Sequence, residues 1–297
     1  MRHDAIIVGG SFAGLSAALY LARARRSVCI VDAGQPRNRF ADRSHGFFAQ
    51  DGAAPAAMLA TARAQVAAYP TVGFVEGRAA DAISTDDGFA VTLGDGTTIE
   101  GARLVLAYGL ADDLPDLPGL AERWGKSVIH CPYCHGYEFS DGRLGILNTM
   151  PMSAHQAMLV AEWGTATFYV NGGPMPDDAT LAELARRGVA IETTPVRALH
   201  GAGAALSAIE LADGRSSGID ALYIGPRSRM NSDIADRLGC AMEDNPMIRM
   251  ISTDAWKMTS GAGVFAAGYI TRGAHSVTWA SADGVTAGVA AHRSLVF

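Results

Sequence analysis

The chain opens on a short apolar run, Asp4-Ala5-Ile6-Ile7-Val8, that ends in Gly9-Gly10 and leads into an alanine-rich segment. No other feature constrains the fold as strongly. An apolar run of this length, spanning 4–10, reads as a buried parallel strand. The stretch 14–26 then places Leu15, Ala18, Leu19 and Ala22 on one helical face. A second apolar run at 27–32 ends in Asp32. Strand, glycine turn, helix and strand open a dinucleotide-binding unit. The turn Gly9-Gly10-Ser11-Phe12-Ala13-Gly14 fits G-x-G-x-x-G, with Ser11 in place of the middle glycine. Small residues at a helix start let backbone N–H groups reach a pyrophosphate. Asp32, 23 residues after Gly9, stands where a ribose-binding acid belongs.

The rest of the chain repeats this alternation. A polar loop covers 34–52, a helix 53–68, and strands 71–76 and 89–93 flank a turn at Asp86-Asp87-Gly88. A strand at 103–109 ends in Gly109, and two prolines make 112–119 a linker. A second βαβ pattern follows: strand 143–147, helix 153–163, strand 166–170, helix 181–187, and strands 190–193 and 221–224. A buried strand at 263–267 and a helix at 280–293 close the chain.

With 297 residues the chain has room for about two domains. Apolar residues at 49% and charged residues at 18% exclude disorder as the main state. A net charge of −6 argues against nucleic acid as a partner. No apolar stretch is long enough to span a bilayer, so no membrane association is expected. The start of the chain lacks a secretory leader pattern, which makes the cytoplasm the expected compartment. Four cysteines are too few for a disulfide scaffold at this length.

Two of them form the second site, Cys131-Pro132-Tyr133-Cys134-His135-Gly136-Tyr137-Glu138. In a CxxC pair one thiolate can attack a disulfide while the other resolves it. His135 is placed to move protons at neutral pH. Three other readings stay open: c-type haem attachment, which needs export; zinc, which needs further paired ligands beyond His130 and His135; and a structural pair. No metal is expected. Cys29 and Cys240 read as inert core residues.

The second βαβ unit lacks a phosphate turn. After its first strand comes Asn148-Thr149-Met150-Pro151-Met152-Ser153-Ala154, without a glycine. After its next strand comes Asn171-Gly172-Gly173-Pro174, with no arginine cluster for a 2′-phosphate.

The N-terminal turn, the CPYCHGYE block, the run TSGAGVFAAG at 259–268 and Ala282-Asp283-Gly284 before the last helix resemble the small thioredoxin-reductase-like flavoproteins, over nearly the whole chain. The resemblance implies an α/β fold with two Rossmann-like, three-layer dinucleotide-binding domains, the second inserted in the first. Residues 1–114 and 247–297 would form the FAD-binding domain. Residues 115–246 would form a degenerate NAD(P)-binding-like domain carrying the CxxC. By the same resemblance Cys134 faces the flavin, Cys131 exchanges with substrate, and His135 replaces the acidic proton donor of other members. Gly9, Ser11, Gly14 and Asp32 hold the ADP part of FAD, and Arg39, His45 and Gln50 line it. Gly109 closes a strand, while Ser276 and Val277 approach the isoalloxazine. Two positions depart from the pattern: Gly268-Tyr269 replaces Gly-Asp, and Ala107-Tyr108-Gly109 replaces Ala-Thr-Gly. The missing second phosphate turn resembles the members that do without NADPH. The expectation is an FAD-dependent oxidoreductase, a homodimer, that oxidises a small-molecule dithiol to a disulfide with oxygen. Two alternatives are a thioredoxin-type reductase fed by NADPH or ferredoxin, and a flavin-poor binding or regulatory protein keeping the fold.

Overall fold

The computed structural model describes residues 2–244 and 248–297. In chain order the first elements are β1 (His3–Val8), α1 (Phe12–Arg23), β2 (Val28–Asp32), α2 (Pro55–Ala67), β3 (Val72–Glu76), β4 (Ala79–Thr85), β5 (Gly88–Leu93), β6 (Thr98–Leu106) and β7 (Leu110–Asp113). Then come β8 (Val128–Ile129), α3 (Pro132–His135), β9 (Arg143–Leu147), α4 (Ser153–Val160), β10 (Thr165–Tyr169), α5 (Asp178–Arg186), β11 (Ala190–Glu192), β12 (Val196–His200), β13 (Ala208–Leu211), β14 (Ser216–Gly218) and β15 (Ala221–Tyr223). The last are β16 (Arg227–Met230), α6 (Ile234–Arg237), β17 (Met242–Asp244), β18 (Arg249–Ile251), β19 (Val264–Ala266) and α7 (Val277–Ser294).

Contacts divide the chain into two units. One holds the chain up to Arg39, Gly46–Asp112 and Ser228–Phe297; the other holds Phe40–His45 and Asp113–Arg227. The chain re-enters the first unit at Ser228, ahead of the boundary expected at 246/247, which lies outside the described residues. The reason is hydrophobic: Ile234, Ala235 and Cys240 are buried in the core of the first unit with Ala79, Ala82 and Val91.

In the first unit the sheet runs β3-β2-β1-β6-β5-β4, with β19 also on β6. Strands β3, β2, β1, β6 and β19 are parallel. The first half of β6 pairs antiparallel with β5, and its last residues pair with β19. Strands β1, β2 and β19 are buried on both faces, which is why their sequences are continuous apolar runs rather than alternating ones. Helix α1 meets α7 backbone to backbone. A Cβ on Gly284 would lie 2.1 Å from the Ala13 carbonyl oxygen, and one on Gly288 2.6 Å from that of Ala17. This close approach fixes the start of α1 over the sheet.

The second unit has an all-parallel sheet, β11-β10-β9-β15-β8, and a three-stranded antiparallel sheet, β12-β13-β14. Its two cores centre on Leu147, Ile209 and Leu222, and on Ile146, Phe168 and Tyr223. Among the described residues no helix is long and apolar enough to cross a membrane.

Candidate functional site

The turn after β1 opens onto a cavity of about 590 Å³ in the first unit. Gly9 sits at φ +112°, and a Cβ there would lie 2.2 Å from the Ala107 carbonyl oxygen, so only glycine fits. A Cβ on Gly10 would lie 2.6 Å from the Asp32 carboxylate, which shows how closely the acid approaches the turn. Ser11 is the N-cap of α1, yet its side chain makes no capping bond. The first N–H groups of a helix have no partner within it, so these remain available to an anion. Asp32 accepts from Gly34 N and from Arg63 Nη1, both at 3.2 Å. The residues present therefore fit the phosphates and ribose of a dinucleotide.

Of the residues read as cofactor-binding, Gly9, Ser11, Asp32, Arg39, Gly109, Gly268, Tyr269 and Val277 line this cavity. Gly14 serves packing instead, for a Cβ there would lie 1.8 Å from the Gly9 carbonyl oxygen. Ser276 caps α7, its Oγ accepting from Trp279 N at 3.1 Å. Gln50 bonds locally, its N–H donating to the Phe47 carbonyl at 3.0 Å. His45 belongs to the second unit, where its Nε2 lies 3.1 Å from Glu138 Oε1. Neither Gln50 nor His45 lines the cavity.

Both unusual tyrosines line the cavity. The Tyr108 ring packs on the core, and its hydroxyl donates to Met230 Sδ at 3.7 Å. Burial pushes its ionisation well above the usual tyrosine range. Tyr269 stacks on His275 with ring centres 4.5 Å apart. Behind this pair lies a network that no motif signalled. Arg37 holds Asp112 through two bonds of 2.7 and 2.5 Å and lies 2.8 Å from His275 Nδ1. A guanidinium only donates, so Nδ1 accepts, and His275 Nε2 donates to the Arg272 carbonyl at 3.0 Å. Burial, with Arg37 beside it, lowers the His275 pKa to about 4. The imidazole is thus neutral at physiological pH. Arg37, Arg63 and His275 lie in stretches whose neighbours give no spacing cue, and Asp112 stood inside the expected linker.

In the second unit Cys131 and Cys134 are joined as a disulfide, with Cα atoms 5.3 Å apart. Cys131 is the N-cap of α3, Pro132 occupies its first turn, and the Cys134 and His135 amides donate to the Cys131 carbonyl at 3.2 Å. Tyr133 is exposed and meets Trp163 edge-on at 5.6 Å. His135 is half-buried, and burial lowers its pKa, opposed by Glu138 and aided by His45. Among the described residues no group of three or more His, Cys, Asp or Glu is arranged to hold a metal. Cys29 and Cys240 are free and buried, and burial raises the Cys29 thiol pKa.

The turn after β9 differs from the first. Thr149 N and Met150 N donate to Ser153 Oγ at 3.1 and 3.2 Å, and Asn148 N donates to the Tyr169 carbonyl at 2.9 Å. Ser153 is fully buried. The Met150 side chain fills the space over Gly225, with Sδ 1.8 Å from where a Cβ on that glycine would lie.

Residues 3–161 match the pyridine nucleotide-disulphide oxidoreductase family. The chain belongs to that family. It is 35% identical to thioredoxin reductase tcpT of Claviceps purpurea over 89% of this chain and 85% of that protein. It is 30% identical to thioredoxin reductase sirT of Leptosphaeria maculans over 96% of this chain and 92% of that one. The crystal structure of an oxidoreductase from Agrobacterium tumefaciens superposes with a TM-score of 0.95 at 48% identity, covering 100% of this chain and 99% of the other. The chain is therefore a thioredoxin-reductase-like oxidoreductase with the two-domain dinucleotide-binding fold.

Proposed function

We propose that this protein is an FAD-dependent thiol–disulfide oxidoreductase that oxidises a small dithiol, with oxygen as the final acceptor. The observation that carries this reading is the contrast between an open first βα turn beside a cavity and a second whose amides are bonded to Ser153. The first suits the diphosphate of FAD, with Asp32 toward the ribose. The second offers no such cradle to NADPH, so the electrons come from the thiol side.

A substrate thiol gives its proton to His135 and attacks Cys131 Sγ, the Cys131–Cys134 bond breaks, and the Cys134 sulfur departs. The second substrate thiol then attacks the substrate sulfur of the mixed disulfide and releases Cys131. The substrate loses two electrons and becomes a disulfide, and the cysteine pair gains them. His135 takes the proton of the attacking thiol and returns it to the departing Cys134 sulfur. When bound, FAD supplies the two-electron acceptor that reoxidises the pair and hands the electrons to oxygen.

The test is anaerobic mixing of the flavin-loaded protein with dithiothreitol or with NADPH, followed by oxygen uptake. Bleaching of the flavin by the dithiol but not by micromolar NADPH is expected, with oxygen consumed on re-aeration and none of this in Cys134→Ser. Fast bleaching by NADPH favours an ordinary reductase, the activity named for tcpT and sirT.

A further inference from the structure

Segment Phe40–His45 belongs to the unit that carries the disulfide. It brings His45 to Glu138, 93 residues further along the chain, with Nε2 3.1 Å from Oε1. The same ring stands edge-on to His135, with centres 6.2 Å apart and planes at 89°. The His45 and Glu138 side chains are 20% and 38% exposed, so the pair is only partly screened by water. We infer that Glu138 and His45 are positioning residues of the disulfide site: Glu138 orients the His45 ring, and His45 holds the His135 imidazole where it can accept the proton of an incoming thiol. This inference rests on the proposed dithiol exchange at Cys131–Cys134.

Two histidines and one carboxylate meet in this geometry. A base next to a redox pair must be neutral to accept a proton and must keep one orientation through exchange. The charges that face His135 act in opposite senses. Glu138, from the turn after α3, favours its protonation, and His45, from Phe40–His45, disfavours it. Burial is the largest influence and keeps His135 below the ordinary histidine range. The buried Tyr223 hydroxyl on β15 also feels Glu138, which raises its ionisation further above the tyrosine range. Lys126 and Asp42 pair with each other at 3.3 Å. The proton taken from the substrate thiol at His135 is the one returned to Cys134, so the step conserves protons and needs no further reactant.

The experiment is the anaerobic half-reaction of the flavin-loaded protein with dithiothreitol, followed by alkylation of new thiols and mass measurement, from pH 5 to 8. Rates are taken as ratios of variant to wild type, so ionisation of the reagent cancels. His45→Ala should slow exchange about tenfold near neutral pH, and its acid limb should move to higher pH. Glu138→Gln should also slow exchange, but its acid limb should move to lower pH. A purely structural role would not produce limbs of opposite sign. The His135 ring titration by NMR in the oxidised protein should shift the same way in each variant, and this reading holds even if a variant is less stable. Unchanged ratios across the range overturn the inference while leaving dithiol exchange intact. A wild-type disulfide that fails to exchange overturns both.

Discussion

After β1 the chain turns through residues 9–11 into α1; after β9 it turns through residues 148–152 into α4. Both turns leave the end of a buried parallel strand and enter a helix. The first is kept open by glycines whose Cβ atoms would strike backbone, and its cap residue bonds nothing through its side chain. The second is closed by one buried hydroxyl that takes two amides, and by a methionine that fills the remaining space. The same supersecondary plan thus leaves the helix-start amides without a side-chain cap in one unit and makes a sealed corner in the other. Whether backbone donors are spent internally decides the difference, and a glycine count alone would not reveal it.

The sharpest way to break this comparison is Gly14→Ala. In an ordinary helix the change would gain up to about 1 kcal/mol. Here the new Cβ would lie 1.8 Å from the Gly9 carbonyl oxygen, which cannot move without distorting the turn. The clash should win, with a loss of about 3 kcal/mol or more and a protein purified without flavin. Urea unfolding and the flavin absorbance measure both. A stable yellow variant would mean that the turn is not held as tightly as described.

Acid should weaken the first unit through His275. His275 has a pKa of about 4 when folded against 6.5 in its ordinary state. Above 6.5 both states are neutral, so the group contributes nothing to the slope. As pH falls from 6.5 toward 4 the unfolded chain takes up a proton that the folded one refuses, and stability falls by at most ~3 kcal/mol. His275→Asn should flatten the pH dependence of the urea midpoint in that window. An equally steep dependence in the variant would place the acid sensitivity elsewhere.

Ser153→Ala tests the closed turn. It strands the Thr149 and Met150 amides, at a cost of roughly 1–3 kcal/mol. Hydrogen exchange at those two amides should accelerate, without reduction by NADPH being gained, because Met150 still fills the space over Gly225. Unchanged protection would show that the hydroxyl is not what closes the turn.

The strands that carry both turns were legible because burial on two faces writes itself as continuous apolar sequence. Other elements were not. Strand β4 is an exposed edge of mixed composition, AADAIST, with no apolar run to mark it. Strands β12, β13 and β14 are three to five residues long in an alanine- and glycine-rich stretch. Strand β16, RSRM, alternates charge and reads as loop. At the site, the CxxC and the first turn are local motifs and could be read directly. His45 could not, because its partner is remote in sequence and its neighbours resemble a cofactor loop. The Arg37–Asp112–His275 network leaves no local signature for the same reason, being assembled from three separate segments.

The smallest effect concerns the one position where the first turn departs from its own pattern. Ser11 stands where the motif has glycine, and its hydroxyl makes no cap bond in the protein. If the phosphates are held by backbone N–H groups alone, the hydroxyl is a bystander. Ser11→Gly should then change helix stability by only a few tenths of a kcal/mol. Flavin affinity, measured by fluorescence on titrating FAD into the stripped protein, should change less than about threefold. A loss of tenfold or more corresponds to about 1.4 kcal/mol, the scale of a hydrogen bond to a charged group. That result would mean that Ser11 donates directly to a phosphate. The first turn would then differ from the second in having a side chain that serves the ligand, where Ser153 serves the protein's own backbone.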